Sequence, residues 1–159
     1  MRVSTIRADS THPHFIALVK LLDDDLAVRD GAEHAFYSQF NKIDKIKNAI
    51  IAYRNNVPVG CGAIKEFDSN TMEVKRMFTE PDYRGMGVAS IVLSELEKWA
   101  EQLGYSCCVL ETGKRQPEAI ALYKRNGYQV IENYGQYIGM NNSVCFEKKL
   151  NAFSSASQE

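Results

Sequence analysis

The sequence predicts an α/β fold: a central mixed sheet of six or seven strands with about four flanking helices. Three observations carry that prediction. Residues 49–79 hold three strand-like runs, Ala49–Tyr53, Val57–Phe67 and Met72–Thr79, separated by short turn signals, which is the pattern of antiparallel strands. A glycine-rich turn at Tyr83-Arg84-Gly85-Met86-Gly87-Val88-Ala89 leads into the longest amphipathic stretch of the chain. A short apolar run, Cys107 to Thr112, then follows that helix, as a strand does after a crossover to a parallel neighbour.

Taken in order, Val3 to Ala8 carries β-branched residues in alternation and reads as the first strand. Ser10 or Thr11, followed by Pro13, is a helix start, and Phe15, Ile16, Val19, Leu22 and Leu26 repeat at helical spacing through Ala27. Asp23-Asp24-Asp25 falls mostly on the solvated side of that helix. Consecutive helical residues diverge by about 100°, so the triplet is poorly arranged to hold a metal. His12-Pro13-His14 lacks a third ligand at a recognisable spacing. No metal is expected. A short helical region around Glu33 to Phe40 lies within the segment Gly31–Lys47 and suits either a lid or core.

Ala49 to Tyr53 and Val57 to Phe67 form a hairpin across Asn55-Asn56, and Asp68-Ser69-Asn70 turns the chain into a third strand, Met72 to Thr79. Glu80-Pro81-Asp82 ends the ladder, because proline cannot donate to it. The helix after the glycine turn starts near Met86, presents Val88, Val92, Leu96, Trp99 and Leu103 on one face with Glu95, Glu97, Lys98 and Glu101 largely elsewhere, and closes at Gly104. After the Cys107–Thr112 strand, Pro117 opens a short helix that Gly127 terminates. Tyr128 to Ile131 and Ser143 to Leu150 are the last strands, joined by a loop containing Tyr134, Tyr137 and Gly139. Residues 1–150 are expected to form one domain and 151–159 a disordered polar tail.

Composition narrows the classes of function. Lys and Arg number 19 against 20 for Asp and Glu, so no charge excess draws a nucleic acid or an anionic membrane. The amino-terminal residues lack the apolar core of a signal peptide and no later run is long enough to cross a bilayer, which points to a cytoplasmic protein. Cys61, Cys107, Cys108 and Cys145 fall on strands without metal-type spacing and read as reduced thiols. Cys107 and Cys108 should face opposite sides of the sheet.

Two glycines one residue apart before a helix expose backbone N–H groups to an approaching anion, and the helix dipole reinforces them. Arg84 adds a charge suited to a pyrophosphate. Arg84-Gly85-Met86-Gly87-Val88-Ala89 follows the pattern Arg or Gln, two residues, Gly, one residue, Gly or Ala. Further on stands Leu122-Tyr123-Lys124-Arg125-Asn126-Gly127-Tyr128. In these motifs, and in the order of elements around them, the chain resembles the GNAT superfamily of N-acetyltransferases, most closely over Val57–Tyr128.

The resemblance implies a GNAT-like fold whose parallel strands splay at the cofactor site, and acetyl-CoA as the acetyl donor. Met77, Phe78 and Thr79 would pair main chain with the pantetheine arm, and a backbone N–H at the end of that strand would polarise the thioester carbonyl. Arg84, Gly85, Met86, Gly87, Val88 and Ala89 would hold the pyrophosphate. Gln116 stands where many members carry an asparagine, and would offer a longer amide to the cofactor or to the tyrosine. Tyr123 matches the tyrosine that many members use as general acid toward the sulfur, and Glu73 the position of a catalytic glutamate in histone-modifying relatives. Glu111 and an ordered water are competing bases. Period-two alternation places Glu73, Lys75, Met77 and Thr79 on one face.

The implied reaction is direct transfer of acetyl to a primary amine, most simply of a small metabolite or amino-acid-like acceptor. Arg54, Lys65, Lys75 or Arg76 would suit an acceptor carboxylate and the acidic residues of the amino-terminal half a cationic amine. Acetylation of a peptide or protein amine, and a non-catalytic acyl-CoA sensor, are the alternatives. The family's habit also allows a homodimer.

Overall fold

A computed structural model describes residues 2–31 and 45–150. The expected helical region around Glu33–Phe40 and the polar tail lie outside them. Among the described residues there are seven strands: β1 (Ser4–Ala8), β2 (Asn48–Arg54), β3 (Val57–Asp68), β4 (Thr71–Thr79), β5 (Cys107–Gly113), β6 (Gln129–Ile131) and β7 (Ser143–Lys149). Three α-helices accompany them: α1 (Pro13–Asp30), α2 (Val88–Gln102) and α3 (Pro117–Arg125). The sheet order is β1-β2-β3-β4-β5-β7-β6, with β4 and β5 parallel and the pairs β1–β2, β2–β3, β5–β7 and β6–β7 antiparallel. No helix among the described residues is long and apolar enough to cross a membrane.

Two compact units divide the chain: Met1–Lys65 with Val74–Leu96, and Glu66–Glu73 with Glu97–Glu159. The first holds β1, β2, α1 and the turn into α2. Asn55 and Asn56 connect β2 to β3 with φ of 52° and 66°, the left-handed geometry of a two-residue hairpin turn that asparagine tolerates. The helix cap differs from expectation. His12, rather than Ser10 or Thr11, is the N-cap of α1, its Nδ1 accepting from the His14 N–H at 3.1 Å, with Pro13 in the first turn.

Phe15, Leu18, Val19 and Leu22 form the buried stripe of α1 and pack with Ala49, Ile51, Cys61, Ala63 and Phe78. Ile16, expected on that face, is exposed because it lies about 100° round the helix from Phe15. Asp23 is likewise not simply solvated, since its carboxylate pairs with the buried Arg76. In β3, Gly60 and Gly62 admit α2 closely. A Cβ on Gly60 would sit 2.8 Å from Val88 Cγ1, and one on Gly62 2.9 Å from both Val92 and Leu96.

In the second unit β5 is held between β7 and the start of β4. The parallel register runs from Thr71↔Cys107 to Glu73↔Val109, while the antiparallel one spans Cys107↔Lys149 to Gly113↔Ser143. Cys108 is fully buried and its neighbour Cys107 only partly, as opposite faces require. Glu97, expected among the solvated residues of α2, is mostly buried: it accepts from the Tyr128 hydroxyl at 2.9 Å and pairs with Lys148 at 2.9 Å. Leu103 lies past the end of α2 and is exposed, and Gly104 at φ 93° closes the helix there.

Candidate active site

The first unit supplies an anion-ready turn. β4 ends at Thr79, and residues Pro81–Tyr83 form one 3-10 turn closed by Arg84 N–H to Pro81 C=O at 3.3 Å. Gly85 and Gly87 then take φ of 78° and 83°, a region costly for side-chain-bearing residues, and a Cβ at either would meet nothing within 4 Å. Both glycines are therefore required by backbone conformation, and the space beside them is open. The first helical bond of α2 runs from Ile91 N–H to Gly87 C=O at 3.1 Å, so the helix starts at Val88 rather than near Met86. Val88 and Ala89 precede that bond, and their N–H groups belong to the helix's donor-rich end.

Arg84 is tethered to the strand that leads into the turn. Its Nε–H donates to the Thr79 carbonyl at 2.9 Å and its guanidinium lies 5.6 Å from the Phe78 ring centre. A second cation stands beside the turn. Arg54, which the sequence offered only for an acceptor, lies with its Nη1 4.0 Å from Met86 Sδ and its guanidinium 5.9 Å from the Tyr83 ring. Nothing in the sequence joins the end of β2 to this turn; the strand order does.

Of the other predicted residues in this unit, Met77 points at α2, its sulfur close to the space above Gly62, whereas Phe78 lies in the core under α1. Arg76, one step earlier, takes φ of 59° in the middle of β4. Strict alternation is interrupted there, so counting by twos from Glu73 does not carry across to Met77 and Thr79, and the shared face expected from the sequence is withdrawn.

The second unit gathers the titratable groups. Tyr123 of α3 is buried, its ring 5.9 Å from those of Tyr128 and Phe146. Burial first, and the Glu111 carboxylate second, push this phenol above its ordinary value. Glu73 is 8% exposed and accepts from the Tyr134 hydroxyl at 2.6 Å. Burial and then Glu73 raise Tyr134, while burial, Glu111 and then Glu73 raise Tyr137, so both carboxylates face one aromatic cluster.

That cluster is braced. The Tyr134 ring sits 5.0 Å from Phe67 and 5.7 Å from Tyr137, nearly perpendicular to each. Asn133 Nδ2 donates to the carbonyls of Tyr137 and Met140 at 3.1 and 3.0 Å. The sequence placed Tyr134 in a loop without a role, because 61 residues separate it from Glu73 and no motif spans them. Gln116 caps α3 without a side-chain cap bond. A Cβ on Gly113 would lie 3.6 Å from Gln116 Nε2 and 3.4 Å from Asn142 Nδ2, and the latter is buried without a partner. Asn142 is a second residue that the sequence did not single out.

The family model of the GNAT acetyltransferases matches residues 15–128. A curated relative, an IAA acetyltransferase of Azospirillum brasilense, is 37% identical over 102 residues, which cover 64% of this chain and 67% of the relative. Among solved structures, a Klebsiella pneumoniae chain whose proposed assignment is acyl-CoA N-acyltransferase shares 30% identity at a TM-score of 0.78, covering 93% of this chain and 97% of that one. A GNAT acetyltransferase from Elizabethkingia anophelis, solved with acetyl-CoA bound, has the same fold at a TM-score of 0.67 and 17% identity, covering 93% and 98%.

Proposed function

The chain belongs to the GNAT family of acetyltransferases, and from that premise we propose that it moves the acetyl group of acetyl-CoA to the primary amine of a small acceptor. The observation that carries this reading is the turn Arg84–Ala89. Two left-handed glycines with open space beside them lead directly into the donor end of α2, and Arg84 and Arg54 stand at its margin. A pyrophosphate suits those donors in charge. The thioester supplies an activated acyl group.

The remaining steps fall to this chain's residues. The acceptor nitrogen attacks the thioester carbon, the N–C bond forms as the C–S bond breaks, and the main chain at Met77–Thr79 holds the acyl arm and polarises its carbonyl oxygen. Tyr123 gives its proton to the departing sulfur. A raised phenol pKa keeps that proton in place at neutral pH. The proton released by the amine passes to a base. Glu73, whose buried carboxylate accepts from the Tyr134 hydroxyl, is the base this reading favours over Glu111 or water.

The test is release of CoA thiol from acetyl-CoA over a panel of amines, amino acids, polyamines and short peptides, with mass confirmation of the product. Acetylation of one class supports the reading and names the acceptor class. Absence of both thiol release and acetyl-CoA protection against thermal unfolding would sink it.

A further inference from the structure

We propose that the acceptor carries a carboxylate beside its amine, as an amino acid does, and that Arg76 is the residue that anchors it. This deepens the acetyl-transfer reading and rests on it. Arg76 is an unusual occupant of a core strand. Its side chain is 1% exposed, and its Nη2 donates to Asp23 Oδ1. Its Nε is buried without a hydrogen-bond partner.

A guanidinium withdrawn from water is normally matched donor by donor, since each unmet N–H forfeits the hydrogen bond it made to solvent. Asp23, its partner at Nη2, is itself half exposed on α1. The unmet Nε–H is one prong of a planar fork whose natural complement is a carboxylate.

The backbone holds this arrangement at a cost. Arg76 sits at φ 59°, which a residue with a Cβ rarely adopts inside a strand, and the Cys61 thiol donates to its carbonyl at 3.4 Å. An ordinary strand residue would place its side chain by simple alternation. The left-handed step instead directs Arg76 toward Asp23 of α1 while Met77, the next residue, faces α2. Arg76 directly precedes Met77, the first residue whose main chain is assigned to the acyl arm, so on this proposal the acceptor's carboxylate and its amine are served by neighbouring residues of one strand.

The experiment isolates the carboxylate. Binding of N-acetyl-amino acids and of the matching N-acetyl-amino acid amides to the CoA-loaded full chain is measured by titration calorimetry, beside acetyl-CoA binding itself. These product analogues have no titrating amine, so the members of each pair differ only in charge and hydrogen bonding at one end. The acid is expected to bind at least about tenfold tighter than its amide for one or more side chains. Arg76→Lys should reduce that ratio to about threefold or less while leaving acetyl-CoA affinity within about twofold, because a point charge replaces the fork.

Equal binding of acids and amides, binding of neither, or a preference that survives Arg76→Lys would overturn the proposal. If Arg76→Lys does not fold, the wild-type comparison decides alone. Loss of acetyl-CoA binding by the wild-type chain would instead mark failure of the acetyl-transfer reading.

Discussion

Tyr123 and Gly87 separate the two halves of the proposed chemistry. Burial and Glu111 raise the Tyr123 phenol above its ordinary value of 10, so it stays a proton donor through any practical assay pH. Tyr123→Phe keeps the ring between Tyr128 and Phe146 and removes only the hydroxyl. We expect kcat to fall about 10²-fold with acetyl-CoA affinity nearly unchanged, and equal turnover would remove Tyr123 as the acid. Gly87→Asp acts on the other half. It forces a side chain into φ 83° and sets a carboxylate where a pyrophosphate would lie. Acetyl-CoA should then give no protection against thermal unfolding, while an unchanged shift would contradict the assigned turn. Both residues were legible in the sequence because local motifs carry them. Tyr134, Asn142 and the placement of Arg54 were not, because each lies beside residues distant in the chain, Glu73, Gly113 and Met86, a proximity that no short pattern encodes.

At the scale of elements, local chemistry decided what was readable. The Asn55-Asn56 turn, the proline starts of α1 and α3 and the glycine closure of α2 all follow from residues whose backbone preferences are strong. The same turn yields a prediction. Asn56 is exposed at φ 66°, and the second position of such a hairpin turn favours glycine. Asn56→Gly should raise stability by about 0.5 kcal/mol or more and the melting temperature by roughly 1–3 °C; a lower melting temperature would show that the asparagine side chain contributes more than its backbone costs. What the sequence hid was interruption. Nothing in Met72–Thr79 announces that Arg76 leaves the strand conformation, and period-two counting assumes that no residue does. The apolar stripe of α1 was misjudged by one position for a related reason: Phe15, Ile16, Leu18 and Val19 permit more than one helical face, and only the partner sheet selects between them.

For the whole molecule, the distribution of buried titratable groups sets how stability responds to alkali. Burial pushes the Cys61 and Cys108 thiols up to about 12 and those of Cys107 and Cys145 up to about 11. Burial is also the first cause raising the phenols of Tyr123, Tyr128, Tyr134 and Tyr137, with neighbouring carboxylates adding to it in each case. All these folded-state values exceed the ordinary ones, so the native chain holds protons that the unfolded chain has begun to release. The unfolded state binds fewer protons above those ordinary values, and stability therefore falls as pH rises. The thiols leave this account flat up to about pH 8.5 and start the decline there; the phenols steepen it above about pH 10. Denaturant midpoints at pH 7.5, 9 and 10.5 should thus decrease in that order. Tyrosinate absorbance tells this cause from the loss of lysine charge. The chain has eight tyrosines, and these four should remain un-ionised in the folded protein at pH 10.5, then ionise together with unfolding as alkali or denaturant is increased. Ionisation of all eight while the far-ultraviolet dichroism stays native would show that the aromatic cluster is open to water, and would also remove the ground for treating Tyr123 as a protected proton donor.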